Sequence, residues 1–495
     1  MSTEASAAIL TTRNPATGEV VGEHPITDEA AVHETVARAR QAASWWAGQD
    51  PRQRRSALLR WKRELVNGSM ELAAVVRAET GKPTGGALFE IMLAVEHLDW
   101  AARRAPRVLR RRKVSSGVLA MNHLGLLEYV PLGVIGVIGP WNYPVYTPLG
   151  SISYALAAGN AVVFKPSEYT PGVARWLAEA WSRACPEPVL QVVIGDGATG
   201  AALTRSEVDK IAFTGSAATA RKVMAACAER LTPLVIEGGG KDALIVAADA
   251  DIEAAAAAAV FGALGNAGQT CAGVERVYAV TEVYDRFLDA VKEKTAAIRS
   301  GADDAAAYGP MTMPGQVEVV RRHVTEALAD GAVAAVGGPD SIRPPFVDPI
   351  VLTGVPEESA AMREETFGPV LVVNKVRDVD EAVQRANESR YGLAAAIFTR
   401  DKQHGLALAR RLRTGATSVN SVLGFAAIPA LPFGGVGDSG FGRIHGADGL
   451  REFSRAKAVT WQRHRAALDI MRFDPAPRAV ATALKLFRVR HGRGR

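Results

Sequence analysis

From residue 134 the chain changes rhythm, and that change limits the available folds more than any single residue does. Short apolar runs at 134–138, 161–164, 189–194, 210–213 and 234–236 take turns with helical stretches at 145–158, 171–183, around 198, and 217–230. Strands and helices alternating at this spacing join as right-handed βαβ units, which gives a parallel sheet covered on both faces. A second series opens at Ala243. It runs through strand 243–246, an Ala-rich helix at 252–265, strand 276–280 and helices at 284–299 and 316–330. Strands near 347–352, 370–374, 394–398 and 417–419 continue it. The 495 residues exceed what one core organises, so two α/β domains are expected. Residues 28–112 read as helical instead. Apolar positions recur three and four apart over 31–46 and 51–80, Gly81-Lys82-Pro83 breaks the second run, and a third at 85–105 ends near Pro106. Residues 114–130 loosen towards alternation, an extended hairpin-like arm, and 456–461 read as a last edge strand.

Composition excludes several classes. A hydrophobic fraction of 48% and a charged fraction of 22% are those of an ordinary globular protein. Three cysteines (Cys185, Cys227, Cys271) cannot build a disulfide framework and match no zinc spacing, so no metal and a reducing, cytoplasmic setting are expected. No stretch reads as a signal peptide or a membrane span. Five Lys and Arg fall in the last eleven residues, and a second basic cluster runs from Arg103 to Lys113. Neither carries the interleaved aromatics of a nucleic-acid binder, and solvated surface or a subunit edge is the plainer reading. The tail around 479–487 reads first as a short helix packed on a neighbouring subunit. Reversible docking on an anionic membrane is the alternative.

The chemistry-bearing residues sit where these elements end. Gly268-Gln269-Thr270-Cys271-Ala272-Gly273 presents a cysteine among small residues, with backbone N–H groups uncovered for a negative charge formed beside the sulfur. The alternative is a buried structural cysteine. Pro140-Trp141-Asn142-Tyr143-Pro144 fixes Asn142 between two prolines, either as a structural clip or as one arm of an oxyanion hole. Glu237, at a strand end before Gly238-Gly239-Gly240-Lys241, is a general base if desolvation raises its pKa, and an exposed loop acid if not. Lys165-Pro166-Ser167-Glu168 ends a buried strand and suits ribose hydroxyls or a surface salt bridge. Phe213-Thr214-Gly215-Ser216 opens a helix and suits a pyrophosphate or a plain tight turn.

These motifs, with Glu365-Thr366-Phe367-Gly368-Pro369, occur in this order and at these separations in the NAD(P)-dependent aldehyde dehydrogenase superfamily, which the chain resembles from about Arg13 to Trp461. The resemblance implies an α/β fold: a Rossmann-type cofactor domain (1–113 and 131–240), an α/β catalytic domain (241–447), a β oligomerisation arm (114–130 and 448–464) and a basic tail (465–495). It implies Cys271 as a thiolate nucleophile, Asn142 and the Cys271 N–H as oxyanion donors, and Glu237 as the base that hydrolyses a thioester. It places Lys165 and Glu168 at the adenosine ribose, Gly215 and Ser216 at the pyrophosphate, and Glu365, Phe367 and Trp141 at the nicotinamide end. NAD is preferred on this reading, with NADP possible, and a homodimer or homotetramer is implied.

Three departures stand out. Gly238 replaces the usual leucine, so a looser backbone is expected under Glu237; Ala220 replaces a glycine of the cofactor helix; and Gly437 and Ile444 replace a Lys and a Glu. The helix after Asn142 offers Tyr143, Tyr146, Leu149 and Gly150 with no arginine before Arg175, which leans towards an uncharged aliphatic or aromatic aldehyde. Arg276 and residues 423–428 are further candidate substrate contacts. The rival readings are a semialdehyde-specific enzyme, a cysteine hydrolase, and a catalytically silent structural member of the family.

Overall fold

The computed structural model describes residues 8–117, 120–466 and 468–492. Its two large sheets are the two series expected from the sequence. In the first, Leu234–Glu237, Lys210–Thr214, Val134–Ile138, Ala161–Lys165 and Leu190–Val192 lie side by side and parallel. The short strand Gly440–Phe441 adds an antiparallel edge beside Glu237. Val134–Ile138 comes first in the chain yet lies in the middle, so the winding reverses on either side of it. Such a switch point opens a crevice at the carboxyl ends of the strands. Ile138, Lys165 and Thr214 all end there.

The second sheet has seven strands in the order Val333–Val336, Ile350–Thr353, Val370–Val376, Val274–Val280, Asp242–Val246, Ala394–Phe398 and Ala416–Val419. All pairs are parallel except the first. Its central strands read as unbroken Val, Ile, Leu and Ala because helices cover both faces, and Leu244, Ile245 and Val246 are wholly buried. Burying one such aliphatic side chain stabilises the fold by about 1.5–3 kcal/mol.

Helices Glu29–Gly48, Pro51–Asn67, Ser69–Thr80 and Thr84–Val108 replace the three runs expected. The run expected at 51–80 is divided at Gly68, where a side chain would collide with the Trp176 ring. Pro106 lies inside the last helix, not beyond it. Trp46, Trp61 and Trp181 meet edge to face at 5.9 and 5.2 Å and lock these helices onto the first sheet. A hairpin of Ile9–Arg13 and Val20–Pro25 precedes them and was not anticipated.

The chain separates into two compact units, residues 1–108 with 131–454, and residues 109–130 with 455–495. The first holds both sheets. The second holds Arg112–Val114, His123–Pro131 and Ser454–Gln462 as a three-stranded sheet, followed by helix Pro477–His491. Among the described residues no helix is long and apolar enough to cross a membrane.

Candidate active site

The Cys271 loop is built by reversing the helical hand. Helix Ile252–Leu264 stops, and Asn266, Ala267 and Gly268 then take φ values of 56°, 56° and 70°. Left-handed backbone costs roughly 1–2 kcal/mol per non-glycine residue, so something must hold it. The Gln269 side chain does so, donating to Asn266 O at 3.0 Å and accepting from Thr312 N at 2.8 Å. At position 268 only glycine fits, because a Cβ would run into the Gly368 carbonyl. Cys271 emerges half-buried, and Cys185 and Cys227 are buried away from it as free thiols.

Asn142 reaches the same loop. Its Nδ2 donates to Gln269 O at 2.9 Å, and its own carbonyl receives Lys82 Nζ at 2.7 Å and Asn266 Nδ2 at 3.1 Å. An amide has two N–H groups. The recorded bond occupies one of them. Beside it Tyr143 Oη lies 3.0 Å from Thr270 Oγ1.

Glu237 ends its strand buried. Oε2 sits 3.4 Å from Thr214 Oγ1, and Oε1 has no partner among the described residues. Burial pushes this carboxyl up to about 8, against the Thr214 contact and the charge of Arg443. The looser backbone expected at Gly238 is not found. Gly238 N donates to Ser439 O at 3.0 Å, and a Cβ there would come within 2.5 Å of Asp438 O. The missing side chain is what allows Gly440–Phe441 to close against Glu237 and Ile236.

Three loops therefore touch. A Cβ on Gly240 would fall 2.6 Å from Cys271 O, while Gly240 N donates to Glu365 Oε1 at 2.9 Å. Burial pushes the Cys271 thiol up, and the charges of Glu237, Glu365 and Asp242 add to the effect against the Ala272 N–H. The sequence reading takes Cys271 as a thiolate nucleophile, and its burial and neighbouring carboxylates work against the charged form. Glu365 is likewise raised to about 8, by burial and then by Glu275.

Four residues that order the site were not singled out from the sequence. Lys241 is buried against Glu275 and donates to Thr366 Oγ1 at 3.0 Å. Glu275 accepts the N–H groups of Thr366 and Phe367 at 2.9–3.0 Å, fixing the loop in which Phe367 takes φ 48°. Lys82 pairs with Glu90 at 2.9 Å, and Glu90 in turn accepts from Val145 N and Tyr146 N. The lysine in the Glu237-to-Lys241 motif was the available hint. Arg276, expected as a possible substrate contact, is instead committed to Lys241 O at 2.7 and 3.0 Å.

On the crevice side, Lys165 is buried with Nζ 3.8 Å from a half-exposed Glu168. Ser216 caps helix Ala217–Ala228, accepting from Thr219 N, and Ala220 packs buried within that helix. Trp141 meets Phe367 edge to face at 5.5 Å. A carboxylate beyond one strand end, a helix N-terminus beyond the next and Glu365 laid on the Gly239–Gly240 backbone fit an extended dinucleotide. On the other side of Cys271, Phe425 stacks on Phe433 at 5.2 Å, and Ala426 O receives both Tyr146 Oη and His97 Nε2. His97 and His445 lie with ring centres 3.9 Å apart, both kept neutral by burial, and Gly150 leaves the space that His445 fills. Among the described residues no group of His, Cys, Asp and Glu is placed to hold a metal.

Known proteins resemble this chain along nearly its whole length. The pattern of the aldehyde dehydrogenase family matches residues 2–459. The 4,4'-diapolycopene aldehyde oxidase of Methylomonas sp is 38% identical over 444 residues, covering 89% of this chain and 83% of that protein. A putative succinate-semialdehyde dehydrogenase [NADP(+)] of Mycolicibacterium smegmatis is 36% identical, covering 93% and 89%. The crystal structure of succinate-semialdehyde dehydrogenase from Burkholderia pseudomallei superposes with a TM-score of 0.88 at 33% identity, covering 92% of this chain and 95% of that one. The chain belongs to the aldehyde dehydrogenase family, whose NAD(P)-dependent enzymes oxidise aldehydes.

Proposed function

We propose that the protein oxidises an uncharged, largely apolar aldehyde to its acid through a covalent bond to Cys271. The observation that carries this reading is the meeting of three groups: the Cys271 loop, the Asn142 amide bonded to Gln269 O, and a buried Glu237 with one oxygen unpartnered. Glu237, raised to about 8, takes the thiol proton, and the sulfur adds to the carbonyl carbon. The Asn142 side chain and the Cys271 N–H hold the resulting oxyanion; removing one such donor typically costs about 100- to 1,000-fold in rate. Bound NAD or NADP supplies the hydride acceptor. Lys165 and Glu168 hold its adenosine ribose, Gly215 and Ser216 its pyrophosphate, and Trp141, Glu365 and Phe367 its nicotinamide end. The acyl group remains on Cys271 as a thioester. Glu237, once it has passed the thiol proton to solvent, removes a proton from water, which attacks the acyl carbon; the sulfur leaves as thiolate and takes a proton back from Glu237.

The apolar-substrate reading is supported by Tyr143, Tyr146, Phe425 and Phe433 and by the neutrality of His97 and His445. The apolar 4,4'-diapolycopene aldehyde after which the Methylomonas relative is named also supports it. The names of the mycobacterial and Burkholderia relatives favour a second reading, a semialdehyde carrying a carboxylate. A panel of long-chain, aromatic and carboxylated aldehydes with NAD and with NADP, followed by absorbance at 340 nm, separates them. A kcat/KM highest for succinic semialdehyde would overturn the first reading. We assign the three-stranded sheet of the second unit to subunit contact, since Ser454–Gln462 runs along its edge. A monomeric mass by light scattering would overturn that assignment.

A further inference from the structure

We propose that the C-terminal helix Pro477–His491 is a docking surface for an anionic lipid bilayer. Charge is divided unevenly between the two units. Residues 109–130 and 455–495 hold fifteen Lys and Arg against three Asp and Glu, a net +12, so the rest of the chain carries −6 of the overall +6. No acidic residue follows Asp474.

The helix joins this charge to an unpartnered apolar stripe. Val480, Leu484 and Phe487 fall four and seven residues apart on one face, continued by His491, whose ring centre lies 5.0 Å from that of Phe487. Arg478 and Lys485 share the opposite face with the exposed Val489 and, at its margin, Leu486, and Arg488 and Arg490 flank the stripe on its two sides. No residue of the helix is buried, and Met471 and Phe473 just before it are fully open at 90% and 110% relative exposure. Four basic residues and no acid, flanking arginines with long apolar stems and an exposed apolar stripe are parts of a helix that lies in a membrane interface. Two other occupants fit less well. A second copy of this helix brings its own four Lys and Arg and no acid to the contact, and nucleic acid gives Val480, Leu484 and Phe487 nothing apolar to bury against.

The test is flotation of the full-length protein with vesicles of phosphatidylcholine alone and with vesicles about one-third phosphatidylglycerol. The protein should float with the second and not the first, and should be released by high salt. Each basic residue at an anionic surface contributes about fivefold in partitioning. The triple variant Arg478→Glu, Lys485→Glu, Arg488→Glu should therefore lose at least roughly a hundredfold. Leu484→Asp with Phe487→Asp should lose binding while the net positive charge of the tail remains. Both variants should keep wild-type turnover of a water-soluble aldehyde, so loss of the fold and failure of the catalytic reading are each seen separately. Equal flotation of wild type and variants overturns the proposal. So does a smaller mass by light scattering in the variants with no wild-type flotation, or retention on a DNA duplex in preference to anionic vesicles.

Discussion

Glu90 and Glu237 are both buried carboxylates of one site, and their surroundings are opposite. Glu90 faces Lys82 Nζ at 2.9 Å with one oxygen and the N–H groups of Val145 and Tyr146 with the other. Glu237 has a single long contact to Thr214 and an oxygen with no hydrogen-bond partner among the described residues. The first carboxylate is consumed in holding the chain, because Lys82 passes its remaining hydrogen-bonding capacity to Asn142 O. The second keeps its acceptor capacity in reserve at a cost in stability, and groups left in that condition are the ones available to move protons.

The widest gap between the two should open in activity. Glu237→Gln is expected to lower steady-state turnover roughly 1,000- to 10,000-fold while still releasing about one NADH per site, in a first turnover that is itself slowed because the thiol has lost its base. The amide replaces an under-solvated acid, so thermal denaturation should show a melting temperature unchanged or raised. Full turnover would place the base elsewhere. Lys82→Met should do the reverse. Stranding Glu90 costs about 3–5 kcal/mol in urea unfolding. Freeing the Asn142 carbonyl should slow the chemical step by about 100-fold in stopped flow. Adding Glu90→Leu to that variant should restore much of the stability but little of the rate.

The same contrast has a pH signature. Glu237 titrates near 8 in the fold and at the ordinary carboxylate value when unfolded, so the folded state binds the extra proton. Its stabilising contribution is complete below the unfolded value and is lost as pH rises through about 8. Urea midpoints of wild type and Glu237→Gln should thus diverge in favour of the variant between pH 5 and pH 8.5, by a few kcal/mol. Wild-type turnover should rise over the upper part of that range as the base ionises. The smallest effect is at the cofactor edge. Glu168 is half-exposed, and Glu168→Gln should raise the NADP to NAD ratio of kcat/KM by about five- to tenfold.

The motifs were legible because each is a short glycine- or proline-marked loop at a strand end, where composition betrays local geometry. Cys271, Asn142 and Glu237 stood out as candidates in their loops, and the order and separation of the six motifs then suggested their roles. The ion pairs behind them could not. Lys82 lies between Gly81 and Pro83 and reads as part of a helix break, yet it is buried and reaches Asn142, sixty residues on. Glu275 sits in an apolar strand, and nothing near it in the chain indicates Lys241 or Thr366 as partners. The consequence of Gly238 was misjudged for a related reason. Its small size matters to Asp438 and Ser439, two hundred residues away, and not to its neighbours. The thiol's raised pKa likewise depends on burial first and then on carboxylates from two separate stretches, Glu237 and Asp242 on one and Glu365 on the other.

The mirror-handed turn at Asn266, Ala267 and Gly268 sets a limit for anyone who would re-aim this enzyme at another aldehyde. Position 268 rejects every side chain, and its two predecessors penalise branched ones, so a mutant library spread over residues 266–271 would be mostly dead on arrival. Diversity is better placed at Tyr146 and Phe425, whose side chains make no hydrogen bond to residues 266–271.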